Sequence, residues 1–231
     1  MSSFLNTYKP YFFKIAKLSY PIIIGQIGIV LMGVADIVMI GKLDATNLAA
    51  AGLANSVYFL ISILGIGTLS AISPLVAKAK GAGHVNEVAI LFRQSIKAGI
   101  LLSLFIGAIL FVLTFNLQWF GQSADVTILT KSYLHILNAG TVFMLLFMGI
   151  KQFSDGLSIT KPSAIITILG LLFNVFWNWV LIYGKFGFPA LGLDGAGYAT
   201  SATRVVMFIA MLIYVLKHQQ YKPWLHVKEF V

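Results

Sequence analysis

Six blocks of twenty or more predominantly apolar residues recur along the chain. A helix of that length is about long enough to cross a hydrocarbon layer ~30 Å thick. The blocks predict an all-α, polytopic membrane protein: a six-transmembrane-helix bundle with spans at about 20–41, 49–77, 96–117, 127–150, 163–184 and 196–216. Hydrophobic residues make up 59% of the 231 and charged residues only 10%, where a soluble domain carries about 25%. That balance excludes a disordered tail and argues against a soluble enzyme. The fourth block carries Lys131, His135 and Asn138 in its first half, so that stretch is expected to face protein or a wet cavity.

Lys and Arg sort by side. One set of connections holds Lys9, Lys14, Lys17, Lys78, Lys80, Arg93, Lys97, Lys151, Lys161, Lys217, Lys222 and Lys228; the opposite set holds only Lys42, Lys131 and Lys185, with Arg204 inside the sixth block. Cytoplasmic connections retain positive charge, so both termini are expected in the cytoplasm, which also requires an even number of spans. The net charge of +9 reads as membrane orientation and not as a nucleic-acid surface, because the basic residues form no stripe. Lys9, Lys14 and Lys17 precede a full-length span without a cleavage-site pattern, which reads as a retained first helix. The connections are short and give no second soluble domain, and the end from Trp224 to Val231 reads as an amphipathic polar tail.

Catalytic chemistry finds little support. There is no cysteine, so disulfides, thiolate nucleophiles and thiolate metal sites are absent. His84, His135, His218 and His226 lack metal-ligand spacing, and the run Gly65-Ile66-Gly67-Thr68-Leu69-Ser70 lacks the last glycine and preceding strand of a dinucleotide fingerprint. The reading is of a non-enzyme without a cofactor. Gly99, Ser103 and Gly107 are spaced to let helices approach closely.

Asp36 is the only acidic residue well inside a span; Asp44, Glu87, Asp125, Asp155, Asp194 and Glu229 map to connections or the tail. A carboxylate at that depth is costly unless protonated, paired or wet, which makes function its default reading over a structural hydrogen bond. Asn174 and Asn178 lie four apart, on one helical face. Polar glue between helices is the competing reading for them. Depth favours a site, since Asp36 lies five residues before Gly41, Asn178 six before Gly184, and Thr200 early in the returning sixth span. At ~1.5 Å per residue these groups reach one level and offer oxygen ligands to a proton or a small hard cation. Tyr58, Phe59, Phe173, Trp177 and Trp179 flank them, either as lipid contacts or as rings for a lipophilic cation. Pro21 reads most simply as a first-turn proline and alternatively as a hinge.

Several stretches, in order, carry a family likeness: Gly33-Val34-Ala35-Asp36-Ile37-Val38-Met39-Ile40-Gly41, Ala49-Ala50-Ala51-Gly52-Leu53-Ala54, Gly81-Ala82-Gly83, Asn174-Val175-Phe176-Trp177-Asn178-Trp179-Val180-Leu181-Ile182, and Pro189-Ala190-Leu191-Gly192-Leu193-Asp194-Gly195-Ala196-Gly197-Tyr198-Ala199-Thr200. On these the chain resembles the MATE (multidrug and toxic compound extrusion) transporters over nearly its whole length, and most of all their bacterial norfloxacin-exporter branch. The resemblance implies an antiporter of the bacterial inner membrane that exchanges H⁺ or Na⁺ for organic, cationic and amphipathic compounds. It implies that Asp36, with Asn174, Asn178 and Thr200, binds the coupling ion, that Asp36, Asn174 and Asn178 are ligands if the ion is Na⁺, and that Pro21 marks a helix that bends. Family members have twelve spans in two lobes, and this chain matches the amino-terminal lobe. The expected partners are therefore the lipid bilayer, a small organic cation, and a carboxy-terminal lobe or a second copy of the chain, with no nucleic acid. A lipid-linked saccharide flippase of the same superfamily and a non-transporting membrane scaffold are the alternatives.

Overall fold

The computed structural model describes residues 2–225, with side chains from residue 12 onward except that of residue 14. Lys9 and Lys14 as side chains, and His226, Lys228 and Glu229 of the expected tail, lie outside the described residues. The chain folds into helices α1 (Ser2–Ile40), α2 (Ala45–Ser70), α3 (Ile72–Gly81), α4 (Val85–Thr114), α5 (Ala124–Ala139), α6 (Thr141–Gly156), α7 (Lys161–Tyr183), α8 (Gly192–Lys217) and a single turn, α9 (Lys222–Leu225). No strand occurs among the described residues. Five segments are long and apolar enough to cross a membrane, and α5 with α6, bent by 43° at Gly140, makes the sixth.

The helices run past the apolar blocks because charged turns continue the same backbone hydrogen bonding beyond the lipid-facing stretch. The second span is two helices, α2 and α3, that meet at Ala71. Pro74 sits in the first turn of α3, where its missing N–H leaves the Ser70 carbonyl without an i+4 donor and ends α2. Pro21 does not stand in a first turn: α1 begins at Ser2, so this proline lies in the interior of a continuous helix. The early start of α1, over residues too polar for a span, is what displaces it.

Small residues decide which helices touch. On α1, a Cβ at Gly28 would come within 3.1 Å of the Thr167 and Ile168 side chains of α7, and one at Gly25 within 3.6 Å of the Ala164 backbone. On α8, a Cβ at Gly195 would come within 2.6 Å of the Leu181 carbonyl oxygen. The turn that returns α7 to α8 needs glycine at position 184, which has φ 66° and no room for a side chain against Ala190. Tyr183 then donates to the Met39 carbonyl at 2.7 Å, tying the ends of α7 and α1. The first, fifth and sixth spans thus form one close-packed sheaf. Gly99 of α4 packs on Leu146 of α6, and Gly107 faces the Asn138 amide, which donates to its carbonyl at 3.0 Å.

Candidate ion-binding site

The sheaf of α1, α7 and α8 brings one side chain from α1, two from α7 and one from α8 to a single point. Asn178 Nδ2 donates to Asp36 Oδ1 at 2.5 Å and to Asn174 Oδ1 at 3.2 Å. Asn174 Nδ2 donates to Thr200 Oγ1 at 3.3 Å, and Thr200 Oγ1 donates to Asp36 Oδ2 at 3.1 Å. These four bonds close a circuit in which each carboxylate oxygen accepts one hydrogen bond. Asp36 is 7% exposed, Thr200 6%, and both asparagines are fully buried.

The circuit leaves one atom over. Asn178 Oδ1 is buried and has no hydrogen-bond partner. A buried polar atom without a partner costs about 1–3 kcal/mol, so this oxygen, next to the carboxylate, is suited to accept from a donor or to ligate a cation. The chemistry of the set is oxygen only: one carboxylate, two carboxamides and a hydroxyl, which fits a hard cation or a proton and not a soft transition metal.

Beside the circuit lies a cavity of about 360 Å³ bordered by Asp36, Thr200, Asn55, Tyr58, Tyr133 and Arg204, with Met32, Met144, Met148 and Met207 among its apolar walls. Arg204 sits one turn after Thr200 on α8. Its guanidinium donates to the Tyr58 hydroxyl at 2.9 Å and the Leu137 carbonyl at 3.1 Å, and lies 4.8 Å from the centre of the Tyr58 ring. Sequence reasoning placed Arg204 inside a span but did not pair it with Tyr58, which also shares a hydrogen bond of 3.0 Å with Thr141. The advance signal was an arginine in the sixth span and an acid in the first, in the same chain. Phe59, exposed at 62%, borders this cavity, whereas Phe173, Trp177 and Trp179 form a ring cluster with Phe176, Phe186 and Phe188 on the far side of α7.

Two further polar residues differ from expectation. Lys151 and Asp155, read as connection residues, are both in α6 and form an ion pair of 2.7 Å, with each side chain only 5% exposed. Their i,i+4 spacing was legible, but a charged residue at the edge of an apolar block looks like a boundary. Of the polar residues in α5, Asn138 and His135 turn towards α4, the imidazole packing against Phe111 and Phe115, while Lys131 lies 4.8 Å over the Phe115 ring.

Among the described residues, a helical bundle with up to six membrane spans around a buried acid and its amide partners is the architecture of a multi-pass membrane protein. The family profile described as MatE matches residues 21–180, and the chain belongs to that family. It is 35% identical to the Multidrug resistance protein NorM of Vibrio vulnificus (strain YJ016) over 216 residues, which are 94% of this chain and 47% of that protein. It is 36% identical to the Multidrug resistance protein MdtK of Photorhabdus laumondii subsp. laumondii over 204 residues, 87% of this chain and 44% of that one. Among solved structures, the eukaryotic MATE transporter AtDTX14 superimposes with a TM-score of 0.87 at 17% identity, over 96% of this chain and 49% of that one. The Vibrio cholerae MATE transporter VcmN in its bent form gives 0.80 at 19% identity, over 93% and 48%. The chain spans about half the length of the relatives it matches.

Proposed function

We propose that this chain is the amino-terminal half of a cation-coupled antiporter that exports organic, cationic and amphipathic compounds across a bacterial inner membrane, with both ends of the chain on the cytoplasmic side. The observation that carries the reading is the partnerless Asn178 oxygen beside the buried Asp36. A proton on Asp36 would turn an acceptor-only carboxylate into a donor with an acceptor waiting. Sodium as the exchanged ion would instead draw on the oxygens of Asp36, Asn174 and Asn178, with Thr200 bracing the carboxylate. Either way the ion neutralises the acid of the circuit and so changes which packing of α1, α7 and α8 is favoured. Pro21 supports a bend of α1, because its ring removes the hydrogen bond to the Lys17 carbonyl in mid-helix. Transport follows when ion and compound prefer different states of the bundle.

The adjoining cavity suits a small ligand in size and in its apolar walls, with Asp36 and the Tyr58 and Phe59 rings as contacts for a cation. Arg204 is the single basic residue bordering it, which weighs against a flippase needing several cationic contacts for a phosphorylated lipid. The missing half of the cavity would come from a carboxy-terminal lobe or, failing that, from a second copy of the chain. The test is infrared difference spectroscopy of the purified chain as pH or Na⁺ is varied. The expected result is a carboxyl band change that disappears in Asp36→Asn while helix content is retained. An unchanged difference spectrum in that variant would remove Asp36 from the coupling role.

A further inference from the structure

Two cavities of about 380 Å³ each adjoin at Lys161, at the lysine-rich end of the bundle, and neither is lined by Asp36, Asn174, Asn178 or Thr200. The first is a groove between α1 and α7 whose walls are Pro21 and Ile24 on one side and Ala164, Ile168 and Leu169 on the other. It opens towards the bundle surface, where Tyr20 is 67% exposed and Leu169 59%. The second cavity is of mixed lining and gathers the polar side chains of Lys17, Lys161, His218, Gln220 and Ser158 beside Leu18, Ile159, Pro162 and Tyr214, where α1, the α6–α7 loop and the end of α8 meet. No carboxylate borders either cavity. His218 is held in place: its ring stacks on Tyr214 at 4.8 Å, and its Nδ1 accepts from the Gln220 N–H at 3.3 Å, which leaves Nε2 as the N–H of the neutral ring.

We infer that these two cavities form one binding site for an anionic phospholipid, its acyl chain in the α1–α7 groove and its phosphate between Lys17, Lys161 and His218. A soluble anion would account for the basic cavity alone, and an apolar compound for the groove alone. A lipid accounts for both and for their junction at Lys161, whose stem can line the groove while its ammonium reaches the second cavity. Basic pockets between membrane helices hold anionic head groups in this way, each Lys near the surface being worth about a fivefold gain. The site shares no residue with the Asp36 circuit, and its occupancy does not depend on ion coupling. Since the groove contains Pro21, a bound acyl chain would also press on the mid-helix position where α1 lacks a hydrogen bond.

The experiment is native mass spectrometry of the purified 231-residue chain titrated with palmitoyl-oleoyl phosphatidylglycerol, the matching phosphatidylcholine, dihexanoyl phosphatidylglycerol and glycerol 3-phosphate. The expected result is one phosphatidylglycerol retained about 30-fold better than phosphatidylcholine, the product of two lysines. That preference should vanish in a Lys17→Gln, Lys161→Gln double variant and persist in Lys185→Gln. Both changed lysines are exposed, so helix content should not move. The inference is overturned if the two long-chain lipids are retained alike, if the double variant keeps the preference, or if glycerol 3-phosphate or the short-chain lipid competes as well as the long-chain one.

Discussion

At the scale of single residues, the site was legible because polar side chains are rare in this chain's spans. One acid, two asparagines a helical turn apart and a threonine at matching depth could be picked out by helical rise alone, and they meet. What the sequence could not supply is direction: which amide hydrogen goes to which oxygen, and hence that Asn178 Oδ1 is left without a partner. Outside the membrane, Asp44 caps α2, accepting from the backbone N–H and the side-chain amide of Asn47, both at 2.7 Å. Those bonds hold its carboxyl below the ordinary value of 3.8. The sign follows: a depressed carboxyl adds stability that is present above pH 3.8 and is lost as the pH falls through the lower folded value. Hydrogen exchange at the first turn of α2, measured relative to the intrinsic rate of an unprotected amide at each pH, should therefore rise on acidification through that range. In Asp44→Ala it should be raised already at neutral pH, with no further acid step.

At the scale of elements, the spans were read from hydropathy, and their interruptions were not. The break at Ala71 had a signal in Pro74, but an unbroken apolar run outweighed it; the bend at Gly140 has its cause in α8, where Ser201 lies so close that a Cβ at Gly140 would come within 2.8 Å of its hydroxyl. Tertiary closeness of that kind is invisible along one chain. The same holds for Gly195, whose absent side chain admits the α7 backbone. Gly195→Ala should lower stability in thermal melts by about 1–3 kcal/mol, since a carbonyl cannot move aside as a flexible side chain can. The buried pair on α6 gives a sharper test. Lys151→Met alone should cost about 3–5 kcal/mol by stranding the Asp155 carboxylate, whereas Lys151→Met with Asp155→Leu should melt within about 1 kcal/mol of the parent or above it. A single variant as stable as the double would mean that the pair is hydrated in the folded protein.

At the scale of the whole molecule, the chain spans about half the length of the relatives it matches, and an even number of spans, as proposed for it, would place both of its ends on one side of the membrane. The close-packed sheaf of α1, α7 and α8 carries the acid, the groove proposed for lipid and the mid-helix proline, while α2, α4, α5 and α6 brace it. The orientation of the bundle and the identity of the ion were readable only as expectations, because neither bilayer nor gradient is encoded in contacts. The most direct measurement is export of a fluorescent organic cation from proteoliposomes carrying this lobe together with its carboxy-terminal partner lobe, under an imposed H⁺ or Na⁺ gradient. The account predicts gradient-driven export by the parent and none by Asp36→Asn at equal insertion. Export by that variant at the parental rate would contradict it.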